Sequence, residues 1–205
     1  MSAPRERKPP LVLCIAVLGS IAVMCVVVAA KGHSRYGEYT YYIYDNGDAG
    51  HPGLVTMVAT FAFWTVSVLS AVLAVTTRRV AWVISSLLFL MIGADYLIRA
   101  HNHFAGGDAV ARLVYWAVFA YVLNHMWRGR RSLTTRVLIV IGLALFALSD
   151  VVDLMSNESY GRGAALEEST GCLGSWCLAL ATLGVVQTLL SPREHALPRL
   201  TTDAP

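Results

Sequence analysis

The chain has 205 residues, 56% of them hydrophobic and only 14% charged, with a formal net charge of +3. A soluble domain carries about a quarter charged residues, so a water-exposed globule is excluded and no room remains for a sizeable soluble domain. The weak positive surplus excludes nucleic acid as a partner; the lipid bilayer and other membrane subunits are the expected ones.

Six apolar stretches follow in chain order, at 11–30, 54–75, 80–98, 109–126, 137–155 and 170–190. Each approaches the roughly 20 residues a helix needs to cross about 30 Å of hydrocarbon. None shows the charged stripe of an amphipathic soluble helix. The expected fold is an all-α integral membrane protein, one membrane domain over 1–205 forming a six-transmembrane-helix bundle that runs up and down.

Arg5, Arg7 and Lys8 precede the first stretch. Its twenty residues exceed the 7–15 of a signal-peptide core, so it is expected to be a retained helix. The loop 31–53 carries Tyr36, Tyr39, Tyr41, Tyr42 and Tyr44, then Asp45-Asn46-Gly47-Asp48. Tyrosines there are expected to anchor in the headgroups; a small lid with a turn at Asn46-Gly47 is the alternative. The third stretch ends with Asp95, then Arg99, His101, Asn102 and His103, and the fifth with Asp150, Asp153, Asn157 and Glu158. Each places Asn seven residues after Asp, on one helical face, which points to two related hairpins. Glu167 and Glu168 are expected to open the sixth helix, where the positive end of the helix dipole favours carboxylates. Gly171-x-x-Gly174 and Ala16-x-x-x-Ser20 offer small-residue packing surfaces. Cys14 and Cys25 fall on the first helix and Cys172 and Cys177 on the sixth, with no C-x-x-C redox motif; buried free thiols are expected, with a Cys25–Cys172 bridge as the alternative.

Cytoplasmic flanks of membrane helices are the richer in Lys and Arg. With the N-terminus inside, eleven of the sixteen cations lie inside (Arg5, Arg7, Lys8, Arg78, Arg79, Arg128, Arg130, Arg131, Arg136, Arg193, Arg199). Five lie outside: Lys31, Arg35, Arg99, Arg112 and Arg162. Both termini are thus expected in the cytoplasm, in the inner or plasma membrane. The acids show the opposite bias, only Glu6, Glu194 and Asp203 of thirteen lying inside. Four of six histidines (His33, His51, His101, His103) share the outer side.

Ionisable residues at membrane depth are expensive and point to function. Asp95 lies three residues inside the end of its helix and Asp150 five, roughly 5–8 Å below the mouth at 1.5 Å per residue. Asp150 and Asp153 share a face at i,i+3. Asp95, Asp150 and Glu167 are the candidate catalytic residues. His101, His103, Asp150 and Asp153 are the candidate ligands of a divalent transition metal (zinc, iron or manganese), since mixed imidazole and carboxylate sets suit these ions. A metal-bound water would make the protein a membrane hydrolase. The other readings are a small proton-coupled transporter titrating Asp95, Asp150 and Asp153, and a non-catalytic subunit or assembly factor. The bland reading pairs Asp95 with Arg99 and Asp153 or Glu158 with Arg162, leaving the other acids solvated.

Two family patterns fail on inspection. Glu167-Glu168 lacks the arginine that CAAX-type intramembrane proteases carry four residues on, where Cys172 stands. Asp108-x-x-x-Arg112 lacks the glycine and later aspartates of CDP-alcohol phosphotransferases. His125, beside Asn124 at the inner end of the fourth helix, has no second histidine at its depth, which excludes bis-histidine haem.

Overall fold

The computed structural model describes residues 11–39, 53–98, 107–128, 132–155 and 162–190. Its six helices are α1 (Leu11–Tyr36), α2 (Leu54–Thr77), α3 (Val80–Ile98), α4 (Gly107–Trp127), α5 (Leu133–Met155) and α6 (Arg162–Leu190). All six are long and apolar enough to cross a membrane. Every one exposes large apolar side chains, among them Val12, Phe61, Met91, Leu113, Leu154 and Leu166. A girdle of this kind would aggregate in water; in lipid it is the ordinary outer surface of a multi-pass membrane protein.

Three helices run four residues or more past their apolar stretches. α1 continues six residues beyond position 30, through Lys31, His33 and Arg35, and stops where Gly37 turns left-handed (φ 76°) and its N–H meets the His33 carbonyl at 2.9 Å. α5 begins at Leu133 rather than 137 because Ser132 caps it: its Oγ accepts the Thr135 N–H at 3.2 Å. α6 begins at Arg162 rather than 170. Glu167 and Glu168 therefore sit in its second turn, not at its opening, and the expected stabilisation by the helix terminus does not reach them. The lengthening has one cause: a helix satisfies its own backbone, so it need not end where hydrocarbon does.

α6 is the central helix, packed on α5, α2 and α1, with most of its length buried from Ala164 to Val185. Small residues permit the approach to α5. A Cβ on Gly142 would lie 3.2 Å from the Gly174 carbonyl, and one on Gly174 3.1 Å from the Gly142 carbonyl. α2 and α3 form a tight hairpin through Arg78 (φ 54°), joined further along by the Ser67 hydroxyl donating to the Ser86 carbonyl at 2.8 Å. The Trp176 indole N–H ties α6 to the Val58 carbonyl of α2 at 3.1 Å. α4 is different: its backbone approaches α3 far less closely than α2 approaches α3 and α6, or α5 approaches α6.

Candidate functional site

The site lies where α4 stands off from that core. Arg112, Tyr115, Trp116 and Phe119 recur at i, i+3, i+4 and i+7, and so share one face of α4. That face reaches in two directions. The Tyr115 hydroxyl donates to the Asp95 carboxylate of α3. The adjacent Trp116 indole N–H donates to Asp150 of α5 at 2.6 Å, and Arg112 forms an ion pair with Asp153 one turn further along α5. Neighbouring residues on α4 thus hold aspartates of two different helices, α3 and α5.

Between these contacts is a cavity of about 280 Å³, just below the roughly 300 Å³ at which pockets for drug-sized ligands begin. Its polar wall is Arg112, Ser149, Asp150, Asp153, Glu167 and Glu168. Its deeper wall is aromatic: Phe119 and Phe146 lie tilted against each other with centroids 4.7 Å apart, and Phe63 stacks on Phe146 at 6.1 Å. Glu168 is only 8% exposed, and the Tyr96 hydroxyl of α3 donates to it at 2.8 Å. The Ser149 hydroxyl donates to the Glu167 carbonyl at 2.9 Å, fixing α5 to α6 beside the cavity. A donor from a rigid ring lowers the cost of keeping a carboxylate at this depth, because a charge-assisted hydrogen bond is roughly twice as strong as a neutral one.

The chain matches no protein-family model, no curated protein and no solved structure.

The site residues expected from the sequence divide as follows. Asp150, Asp153 and Glu167 line the cavity. Asp95 stands behind it, one hydrogen bond away through Tyr115, which does line it. His101 and His103 lie outside the described residues. Among the described residues, no group of three or more His, Cys, Asp and Glu side chains is placed to hold a metal ion. Asp150 and Asp153 share a helix face but go to different partners, an indole and a guanidinium. The Arg162 Nε donates to the Tyr39 hydroxyl at 3.1 Å; Glu158, one of the two acids expected beside Arg162, lies outside the described residues. His33 stacks on the same Tyr39 ring at 4.0 Å, so this tyrosine packs against α1 and the start of α6. Tyr41, Tyr42 and Tyr44 lie outside the described residues.

Sequence reasoning missed Tyr96, Tyr115 and Trp116 as members of the site. The signal was present on α4, where a basic residue and two polar-tipped aromatics recur at helical spacing within one apolar stretch. The four cysteines are free and buried; Cys25 and Cys172 belong to one apolar cluster with Ile21, Val55 and Ala59.

Proposed function

We propose that the protein is a small-solute carrier of the cell membrane, with the cavity as its binding site and α4 as the wall that moves. The observation that carries this reading is the way α4 is docked. Its backbone packs loosely, and three polar contacts to aspartates hold its inward face. Interhelical hydrogen bonds in membranes contribute about 0.6 kcal/mol on average and up to about 1.7. Three together amount to a few kcal/mol, the scale at which an alternative conformation is populated at about 0.1–10%. Neutralising one aspartate, by a proton or by a bound cation, weakens a contact and shifts α4 towards that state. The rigid partner is the α2–α3–α5–α6 core, closed by glycine contacts. The uneven distribution of Lys and Arg supports an orientation with both termini in the cytoplasm and the cavity facing outward. The metal-dependent hydrolase draws its nitrogen ligands from His101 and His103, and no contact among the described residues favours it.

Cysteine access tests the carrier. Ala111→Cys and Ser149→Cys, each in a background with the four native cysteines replaced, place a thiol on the cavity wall. A membrane-impermeant maleimide should label both on intact cells, and more slowly in inverted vesicles as α4 moves. Labelling from the cytoplasmic side alone, or from neither side, refutes the proposal.

A further inference from the structure

The charge and chemistry of the cavity wall point to a class of solute. We infer that the ligand is a small organic cation of the ammonium type, held by carboxylates on one side and aromatic rings on the other; this rests on the carrier reading of the same cavity.

Charge comes first. Asp150, Asp153, Glu167 and Glu168 line the cavity, and among the described residues Arg112 is the one basic residue of its lining. Four carboxylates to one guanidinium repel an anion. They also make the site a poor choice for a neutral apolar solute, which would cover polar groups without replacing their hydration.

The rings decide between kinds of cation. Tyr96, Tyr115 and Trp116 line the upper wall, and Phe63, Phe119 and Phe146 the deeper one. A cation over an aromatic face is attracted by the ring quadrupole, more strongly when water is excluded, and Trp is the best such partner. An inorganic divalent ion instead needs several oxygen or nitrogen ligands converging on one point, and no such group exists among the described residues. A weakly hydrated organic cation uses both walls without one: its charge is diffuse and its methyl or methylene groups pack on the rings. Size agrees, since about 280 Å³ suits a ligand smaller than a typical drug.

Four soluble probes separate the possibilities: tetramethylammonium, choline, 3,3-dimethylbutan-1-ol (the uncharged carbon isostere of choline) and acetate. Each is titrated at constant ionic strength into protein in lipid nanodiscs, following melting temperature and tryptophan fluorescence. Choline and tetramethylammonium should raise the melting temperature saturably, with the isostere at least 10-fold weaker and acetate without effect. Glu168→Gln should weaken choline binding 10-fold or more; Trp116→Phe, which keeps a ring and adds no volume, should weaken it and remove most of the fluorescence change. Isostere binding as tight as choline and equally sensitive to Trp116→Phe overturns the cation assignment and leaves the carrier intact. So does the absence of binding by every probe when Ala111→Cys still labels from outside. Absence of binding together with an unreactive Ala111→Cys overturns both.

Discussion

Loss of the Tyr96 hydroxyl is the sharpest test of how the buried acid of α6 is supported. Tyr96→Phe removes one oxygen from α3, and that oxygen lies 2.8 Å from Oε2 of Glu168. Neutral interhelical bonds in membranes average about 0.6 kcal/mol, and a charged acceptor roughly doubles that. Glu168 is 8% exposed, so water can replace the lost donor only partly. The expected coupling is about 1–2 kcal/mol. Reversible unfolding in mixed micelles gives it from four proteins: wild type, Tyr96→Phe, Glu168→Gln and the double variant. The cycle is needed because each single change also alters contacts the pair does not share. A coupling below about 0.5 kcal/mol, within ordinary additivity error, would refute the claim that this bond supports the carboxylate.

Three further outcomes are expected. Trp116→Phe removes the donor to Asp150 while keeping a ring, so hydrogen exchange along α4 in nanodiscs should accelerate about tenfold, the factor that 1.4 kcal/mol represents; an unchanged rate would mean that α4 is held by something else. Gly174→Ala puts a methyl 3.1 Å from the Gly142 carbonyl and should cost about 1–3 kcal/mol by overpacking, whereas Gly19→Ala, with nothing within 4 Å, should be neutral in the same unfolding assay. Reporter fusions at the two termini should both read cytoplasmic, and a reading outside at either end would remove the proposed orientation.

Much of the helical layout was legible because transmembrane length is a strong constraint on composition. The 80–98 stretch and α3 agree at both ends, and the 54–75 stretch stops only two residues short of α2. The sequence misled where a helix outlasts its apolar stretch. Arg136 interrupts the run that opens the fifth stretch, yet α5 begins four residues before 137, and Ser132 in front of it was a readable N-cap. Glu167 and Glu168 interrupt the sixth in the same way, and there the polar turn is covered by protein rather than by water. Partner choice was the less legible part. Asp95 was expected to pair with Arg99, four residues on in sequence, which lies outside the described residues. The partner that the structure does show, Tyr115, is twenty residues away and comes from a different helix. Spacing along one helix can be counted, but rotation of α4 about its axis is set by packing among all its neighbours. The same rotation sends Trp116 to Asp150 and Arg112 to Asp153, and so separates two aspartates that spacing alone had joined.

Hydropathy and burial run in opposite senses here, and this locates the cavity. α1, with the most apolar 18-residue core of the six, is among the least buried; α6, with the second lowest hydropathy, is the most buried. Between helices in lipid there is no hydrophobic driving force, because the acyl chains are as apolar as the side chains they would replace. Small and polar residues therefore mark the interior, as Gly171, Gly174, Ser175 and Thr182 do on α6. A charged side chain isolated at the centre of a membrane helix costs about 2.5–3.5 kcal/mol to insert, which favours acids that face a shared polar space. α4 and α6, the two least apolar helices, supply Arg112, Glu167 and Glu168 to that space, and α5 supplies Asp150 and Asp153. The expected consequence concerns Arg112. Arg112→Leu removes the cation facing Asp153 while keeping much of the side-chain volume, so a partly buried carboxylate loses the ion pair that joins it to α4. Such a break costs more than the intact pair contributes, and the variant should unfold more readily than Arg112→Leu combined with Asp153→Leu. If the single variant proves at least as stable as the double one, the ion pair is dispensable to the docking of α4.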